Sequence, residues 1–231
     1  MKNYLRLSLT ALALVLFFNA FAAPETRAQG ILKQILDRME THRRSLSSLQ
    51  ADIVMDKFNS QLGEHDVTEG TVMYLPAKGR DALVRIDWTK PLQETFSVVN
   101  KKYVLYQPRL NQAITGKVDE KNKNTKATSA LAFMSMSNEQ LKNNYDLSYL
   151  GIETVGGNVE AWHIKIVPKI TANYKYAEIW VDGNGMTVQG KIVELNDDTT
   201  TVLLSNLQKN ININASKFNV SLPKDTKLIK S

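Results

Sequence analysis

The chain has 231 residues, room for one domain of about 200 residues once a targeting segment is set aside. Hydrophobic residues at 43% and charged residues at 23% are the proportions of a packed globular protein and argue against disorder. The net charge of +6 is spread along the chain, as a solvated basic surface or as weak attraction to anionic phospholipid headgroups or an acidic partner. No helix-turn-helix, zinc finger or aromatic RNA-binding strand accompanies it, so nucleic acid is not an expected partner.

The N-terminus reads as a targeting segment. Met1-Lys2 and Arg6 form a positive start, Leu7 to Phe18 an apolar core, and Ala20-Phe21-Ala22 a small-x-small cleavage site, with Ala28 as a second candidate. Residues 1–28 are therefore expected to be a signal peptide, cleaved after Ala22 or Ala28, with 29–231 a single domain. The apolar run is shorter than the roughly 18 to 20 residues a spanning helix needs, so the expectation is a protein exported to the periplasm and soluble after cleavage. With no cysteine, disulfides, thiol catalysis and a lipid-bearing lipobox are all excluded, and the core must stabilise the fold unaided.

Next, Ile31, Leu32, Ile35, Leu36, Met39, Leu46 and Leu49 recur at helical spacing, which predicts an amphipathic helix. The period then changes to two. Alternation predicts strands around Ile53 to Met55, Val72 to Tyr74, Ala82 to Trp88, Leu92 to Val99, Tyr103 to Tyr106 and Gln112 to Thr115. A polar loop, Lys117 to Asn124, interrupts them. The apolar residues Ala127, Ala130, Leu131, Phe133, Met134 and Met136, followed by a capping box at Ser137 and Gln140, predict one or two helices over Thr125 to Asn144. Strands resume over Tyr145 to Ile152, Val159 to Val167, Tyr174 to Val181, Met186 to Leu195 and Thr199 to Leu207, and an extended segment begins at Phe218. Asp182-Gly183-Asn184-Gly185 is a hairpin turn signal, because glycine and asparagine tolerate positive φ. The result is a mostly β, α+β protein of about eleven strands in a meander, a closed or nearly closed antiparallel sheet.

The pattern carries little chemistry. His42, His65 and His163 stand in no metal-ligand spacing, there is no G-x-S-x-G elbow or phosphate loop, and the acid pairs Asp119-Glu120 and Asp197-Asp198 lie in turn-like contexts. No metal, cofactor or enzymatic activity is expected. What remains is apolar: Ile86, Trp88, Phe96, Val98, Trp162, Ile164 and Ile166 alternate so that they line an interior, as a packed core or a cavity wall. Alternation alone leaves open which face turns inward. The adaptable methionines between Leu131 and Met136 suit a helix covering a variable apolar ligand.

Several short stretches resemble the LolA family of periplasmic lipoprotein carriers. They are Gly70-Thr71-Val72-Met73-Tyr74, then Arg85-Ile86-Asp87-Trp88-Thr89-Lys90-Pro91, and Lys101-Lys102-Tyr103-Val104-Leu105-Tyr106-Gln107-Pro108 followed by Asn111-Gln112-Ala113. In the second half Ile164 to Lys169, Asp182-Gly183 and Phe218 to Pro223 resemble further family segments. The resemblance implies an incomplete antiparallel β-barrel covered by a helical lid, around an apolar cavity that takes acyl chains. It implies acylated lipoproteins as cargo, an inner-membrane lipoprotein-releasing transporter that loads a monomeric carrier, and an outer-membrane acceptor. It also implies a lid-closing arginine, for which Arg80 and Arg85 are the candidates, since Pro76-Ala77-Lys78-Gly79-Arg80 departs from the family's arginine-proline pair. On this reading the acyl cavity is lined by Ile86, Trp88, Phe96, Val98, Leu131, Phe133, Met134, Met136, Trp162, Ile164 and Ile166. The alternative is a periplasmic module that senses lipids or lipoproteins and signals to a membrane partner.

Overall fold

A computed structural model describes residues 24–76, 81–118 and 136–230. The expected signal peptide thus lies largely outside the described residues, as do Arg80, Leu131, Phe133 and Met134.

Helix α1 spans Pro24–Ser45, starting earlier than the apolar spacing predicts and ending before Leu46. His42, Arg43 and Arg44 fill its last turn, where cations favour the negative end of the helix dipole. Leu46 and Leu49 fit the helical stripe by spacing, yet Leu49 opens the first strand, because it also begins the every-second-residue pattern Leu49, Ala51, Ile53, Met55. The strands are β1 (Leu49–Asn59), β2 (Glu64–Leu75), β3 (Leu83–Lys90), β4 (Glu94–Val99), β5 (Lys102–Gln107) and β6 (Gln112–Lys117). Helix α2 (Asn138–Asn144) follows, capped reciprocally by Ser137 and Gln140 as the sequence predicts. Then come β7 (Tyr145–Val155), β8 (Val159–Pro168), β9 (Tyr174–Asp182), β10 (Thr187–Glu194), β11 (Thr199–Lys209) and β12 (Lys227–Lys230).

All twelve strands form one sheet in the order β12-β6-β5-β4-β3-β2-β1-β11-β10-β9-β8-β7. Each half is the expected meander. The halves join because β1 pairs with β11, and among the described residues the sheet stays open, with β12 and β7 at its edges. The one parallel pair, β12 on β6, comes from a chain return that the alternation of short strands does not encode.

Register places one apolar row across the first half, Ala51–Val72–Ile86–Phe96–Leu105–Ile114–Ile229, and another across the second, Met55–Val202–Gly190–Ile179–Ile164–Tyr149. These rows share the inner face, over which α1 lays Ile35, Leu36 and Met39. Curvature is aided by bulges, among them the one at Glu69/Gly70 opposite β3. A Cβ on Gly70 would lie 2.2 Å from the carbonyl oxygen of Asp87, so only glycine allows that backbone approach.

A second, smaller core lies on the outer face. After β11 the chain crosses β2–β4 as a strap, and Ile213 and Phe218 pack on Leu75, Leu83, Met73 and Val99. Phe218 is fully buried. The Ser97 hydroxyl donates to the Phe218 carbonyl, and Lys227 N–H donates to Asn111 O at 2.9 Å as the strap enters β12.

Candidate functional site

The site is built from the inner face and the two helices on it. Register puts Ile86, Trp88, Phe96 and Val98 on this face in the first half, and Trp162, Ile164 and Ile166 on the same face in the second. The sequence left the choice of face open; α1 decides it. Ile86, Trp88, Phe96, Ile164 and Ile166 are buried in the core, while Val98 and Trp162 are half-buried against it. Met136, at the entry to α2, also packs there, half-buried.

Burial is uneven across the face. On the β2–β5 side, Tyr74, Val84, Val98, Tyr103 and Leu105 remain half-buried, and Ile31 and Leu32 of α1 are covered no better. Tyr103 stacks on Phe96 with ring centroids 6.0 Å apart, and its ring lies over Gly116, where a Cβ would come within 2.7 Å. This strip of aromatic and branched side chains is a half-buried apolar part of the inner face, matched in the second half by Leu147, Tyr149 and Trp162. Burial raises the Tyr74 hydroxyl's pKa, while the nearby Arg43 charge opposes the shift.

Polar contacts hold the helices in place. Arg38 donates to the Gly183 carbonyl at 2.8 Å and lies 5.2 Å from the Trp162 ring centroid. Beneath it, Gly185 has φ +84°, and a Cβ there would sit 2.4 Å from Arg38 O, so α1 rests directly on the β9–β10 turn. The Asp182 carboxylate shapes that turn by accepting from the N–H groups of Asn184 and Met186. At the α1–α2 junction, Asn138 donates its side-chain amide to Leu36 O at 2.7 Å. Glu40 accepts from Arg43, Arg44 and the Asn138 N–H. Hydrogen bonds from Arg43, opposed by burial and helped by Arg44 and Asn138, hold the Glu40 carboxyl at about 2.

Arg85 lies on the outer face, opposite to Ile86. Its guanidinium grips Asp87 through two hydrogen bonds of 2.8 and 2.9 Å and donates to Lys217 O at 2.7 Å, so it faces the strap and not the helices. The arginines that meet the cover's surroundings are Arg38 and Arg43, on α1 itself. A basic last turn was visible in the sequence, but nothing there signalled Trp162 or Gly183 as partners.

The three histidines stand apart. His65 pairs with Asp56, and His163 bonds Glu153 while stacking on Trp180 at 4.3 Å. Half-buried His42, near Lys209 and Asp182, has its pKa lowered mainly by burial. An open depression of about 380 Å³ between α1 and the β9–β10 turn is lined by Asp37, Arg38, Thr41, Gly183 and Asn184, and no acyl-cavity candidate borders it.

A model of the family described as outer membrane lipoprotein carrier protein LolA matches residues 44–221. No curated protein sequence matches the chain. Among solved structures, an uncharacterized conserved protein from Thermus thermophilus is similar at 14% identity and a TM-score of 0.55, over 87% of this chain and 99% of that one. MucB is similar at 14% identity and a TM-score of 0.55, over 83% of this chain and 63% of MucB. The MucA/MucB complex of Pseudomonas aeruginosa matches at 13% identity and a TM-score of 0.50, over 81% and 60% of the two chains. At such identities these structures speak for the fold.

Proposed function

The chain belongs to the LolA family, and from that premise we propose that it is a periplasmic carrier that shields the acyl chains of lipoproteins on its inner face during transfer from inner to outer membrane. The observation that carries this reading is the half-buried strip of Tyr74, Val84, Val98, Tyr103 and Leu105, beside helices held by a few polar contacts. Withdrawing the helices unseals Ile35, Leu36, Met39 and Leu141 as well, a cost that burial of an acyl chain has to offset. Each methylene moved from water to an apolar wall is worth about 0.8 kcal/mol, so a single chain gives firm but reversible binding. Ile86, Trp88, Phe96, Ile164 and Ile166, sealed in this closed form, would join the wall as α1 and α2 withdraw. Leu131, Phe133, Met134 and Met136 would contribute from the segment before α2.

On this reading an inner-membrane lipoprotein-releasing transporter loads the protein, an outer-membrane acceptor unloads it, and it works as a soluble monomer. Export by residues 1–22 keeps α1 whole, whereas cleavage after Ala28 would remove its first turn; the mass of the exported protein distinguishes the two. On this reading Arg38 also helps to hold the lid, since it joins α1 to the β9–β10 turn, while Arg80, outside the described residues, stays the family's candidate beside it.

The test is to incubate the protein with membranes bearing a triacylated lipoprotein and the transporter, then examine it by native mass spectrometry. A complex of one protein with one lipoprotein is expected. Protein that stays empty under conditions where an established carrier is loaded refutes the proposal. The MucA/MucB complex favours a second reading, a periplasmic module that senses lipids or lipoproteins and signals to a membrane partner. That reading predicts acyl binding without delivery to acceptor membranes.

A further inference from the structure

Four lysines gather at one end of the sheet. Lys101 sits in the β4–β5 turn, Lys102 opens β5, Lys117 ends β6 and Lys230 ends β12, and all four are exposed. Lys102 faces Lys117 directly across the β5–β6 ladder, and Lys230 lies two pairs along, opposite Thr115 on the parallel edge strand. Because Tyr103 and Gly116 point inward, Lys102, Lys117 and Lys230 project from the outer face. Like charges directly opposite one another destabilise a sheet, so this arrangement works against folding. Among the described residues, Asp81 lies 3.8 Å from Lys101.

Two exposed apolar side chains border the lysines. Leu228 is 63% exposed on the same face of β12 as Lys230, and Val118 is 45% exposed, its N–H pinned to Lys101 O at 2.8 Å. The opposite end of the strands carries acids, Glu64 and Asp66 by the β1–β2 turn and Asp197 and Asp198 between β10 and β11. Those acids are interleaved with lysines, Lys175 bonding Asp197 and Lys57 facing Asp66, so this end is mixed in sign where the lysine corner is mainly positive.

We propose that this corner is a docking surface for an anionic phospholipid bilayer, with the lysines at the headgroups and Leu228 and Val118 at the boundary with the acyl chains. Lysine is a hydrated point charge without arginine's fork, so a cluster of lysines suits the diffuse charge of headgroups better than the defined carboxylates of a protein. The neighbouring apolar pair fits an interface where hydrocarbon lies just below charge. The half-buried row Tyr74–Val84–Val98–Tyr103 ends at the same corner of the sheet, on its other face. The inference adds a surface to the carrier reading, and the two fail separately.

The experiment is sedimentation of the exported protein with vesicles of phosphatidylcholine alone, or with roughly 30 mol% phosphatidylglycerol, across a salt series. Binding is expected only with phosphatidylglycerol and should weaken as salt rises. The double variant Lys102→Gln/Lys117→Gln should partition about 25-fold less, about fivefold per charge. Its urea midpoint should be unchanged or raised, which separates lost docking from lost folding. Leu228→Ala should weaken binding by a factor that salt does not alter. Equal binding to both vesicle types, an unaltered double variant, or tighter retention by polyglutamate than by the anionic vesicles overturns the proposal. Uptake of an acylated peptide from neutral detergent micelles should be the same in the double variant. If the wild type takes up no peptide yet still binds anionic vesicles, the carrier reading fails and the docking surface stands.

Discussion

Replacing Gly185 by alanine would place a methyl carbon 2.4 Å from the carbonyl oxygen of Arg38 and 2.5 Å from its carbonyl carbon. Both are helix backbone, which cannot rotate away. Ordinary contact begins near 3.4 Å, so α1 must retreat from the β9–β10 turn by about 1 Å. Two costs combine. The left-handed backbone at φ +84° costs an L-residue about 1–2 kcal/mol. Displacing α1 strains the Arg38–Gly183 hydrogen bond and the packing of Leu36 and Met39, which adds about 1–2 kcal/mol. The expected destabilisation is therefore about 2–4 kcal/mol by urea unfolding.

Two other glycines separate these terms. Gly157 has φ +91° with nothing within 4 Å of a Cβ, so Gly157→Ala should cost about 1–2 kcal/mol from the backbone alone. Gly183 has neither feature and should change stability by less than about 0.5 kcal/mol. Hydrogen exchange should further show α1 amides opening faster in Gly185→Ala than in Gly157→Ala. If the Gly185 and Gly157 variants match in both stability and exchange, α1 does not rest on this turn.

Glu40→Gln should destabilise by about 1–2 kcal/mol at neutral pH, discounted because Arg44 is solvated. The folded Glu40 carboxyl lies near 2, below its ordinary 4.5, so its stabilisation is complete above about pH 4.5 and fades as pH falls toward 2. Wild type and variant should converge over that interval in urea titrations, and a difference that stays constant counts against the Glu40 junction. Phe218→Ala empties a fully buried site under the strap and should cost about 3–5 kcal/mol, measured by thermal and urea unfolding. Leu105→Glu puts a charge on the half-buried strip; binding of a fluorescent fatty acid should fall at least tenfold while the circular dichroism spectrum is kept. Unchanged binding would place the acyl site elsewhere.

The apolar alternation of Ile86 and Trp88, and of Trp162, Ile164 and Ile166, was enough to identify strands, because side-chain direction in a strand repeats every two residues. It also grouped residues that the register places together on one face. Local pattern was likewise sufficient for the Ser137–Gln140 cap and the Asp182–Gly185 turn, whose chemistry is complete within four residues. Arg85 shows where local reading stops. It stands one residue from an inner-face isoleucine, and its partners, Asp87 and Lys217 O, lie on the far side of the sheet. Leu49 was ambiguous because it closes the helical spacing from Leu46 and also begins the alternation Leu49, Ala51, Ile53 of the first strand.

By itself, the sequence determined an α+β chain of short alternating strands with an amphipathic first helix, because hydrophobic periodicity and turn chemistry are properties of neighbouring residues. The order of those strands was decided only in three dimensions. Pairing of β1 with β11 and of β12 with β6 joins residues more than a hundred positions apart, and no local spacing records such a choice. The same holds for the inner face, which became the inner face when α1 settled on it. It holds too for the lysine corner, whose members are scattered in the chain and meet only across the β5–β6–β12 edge.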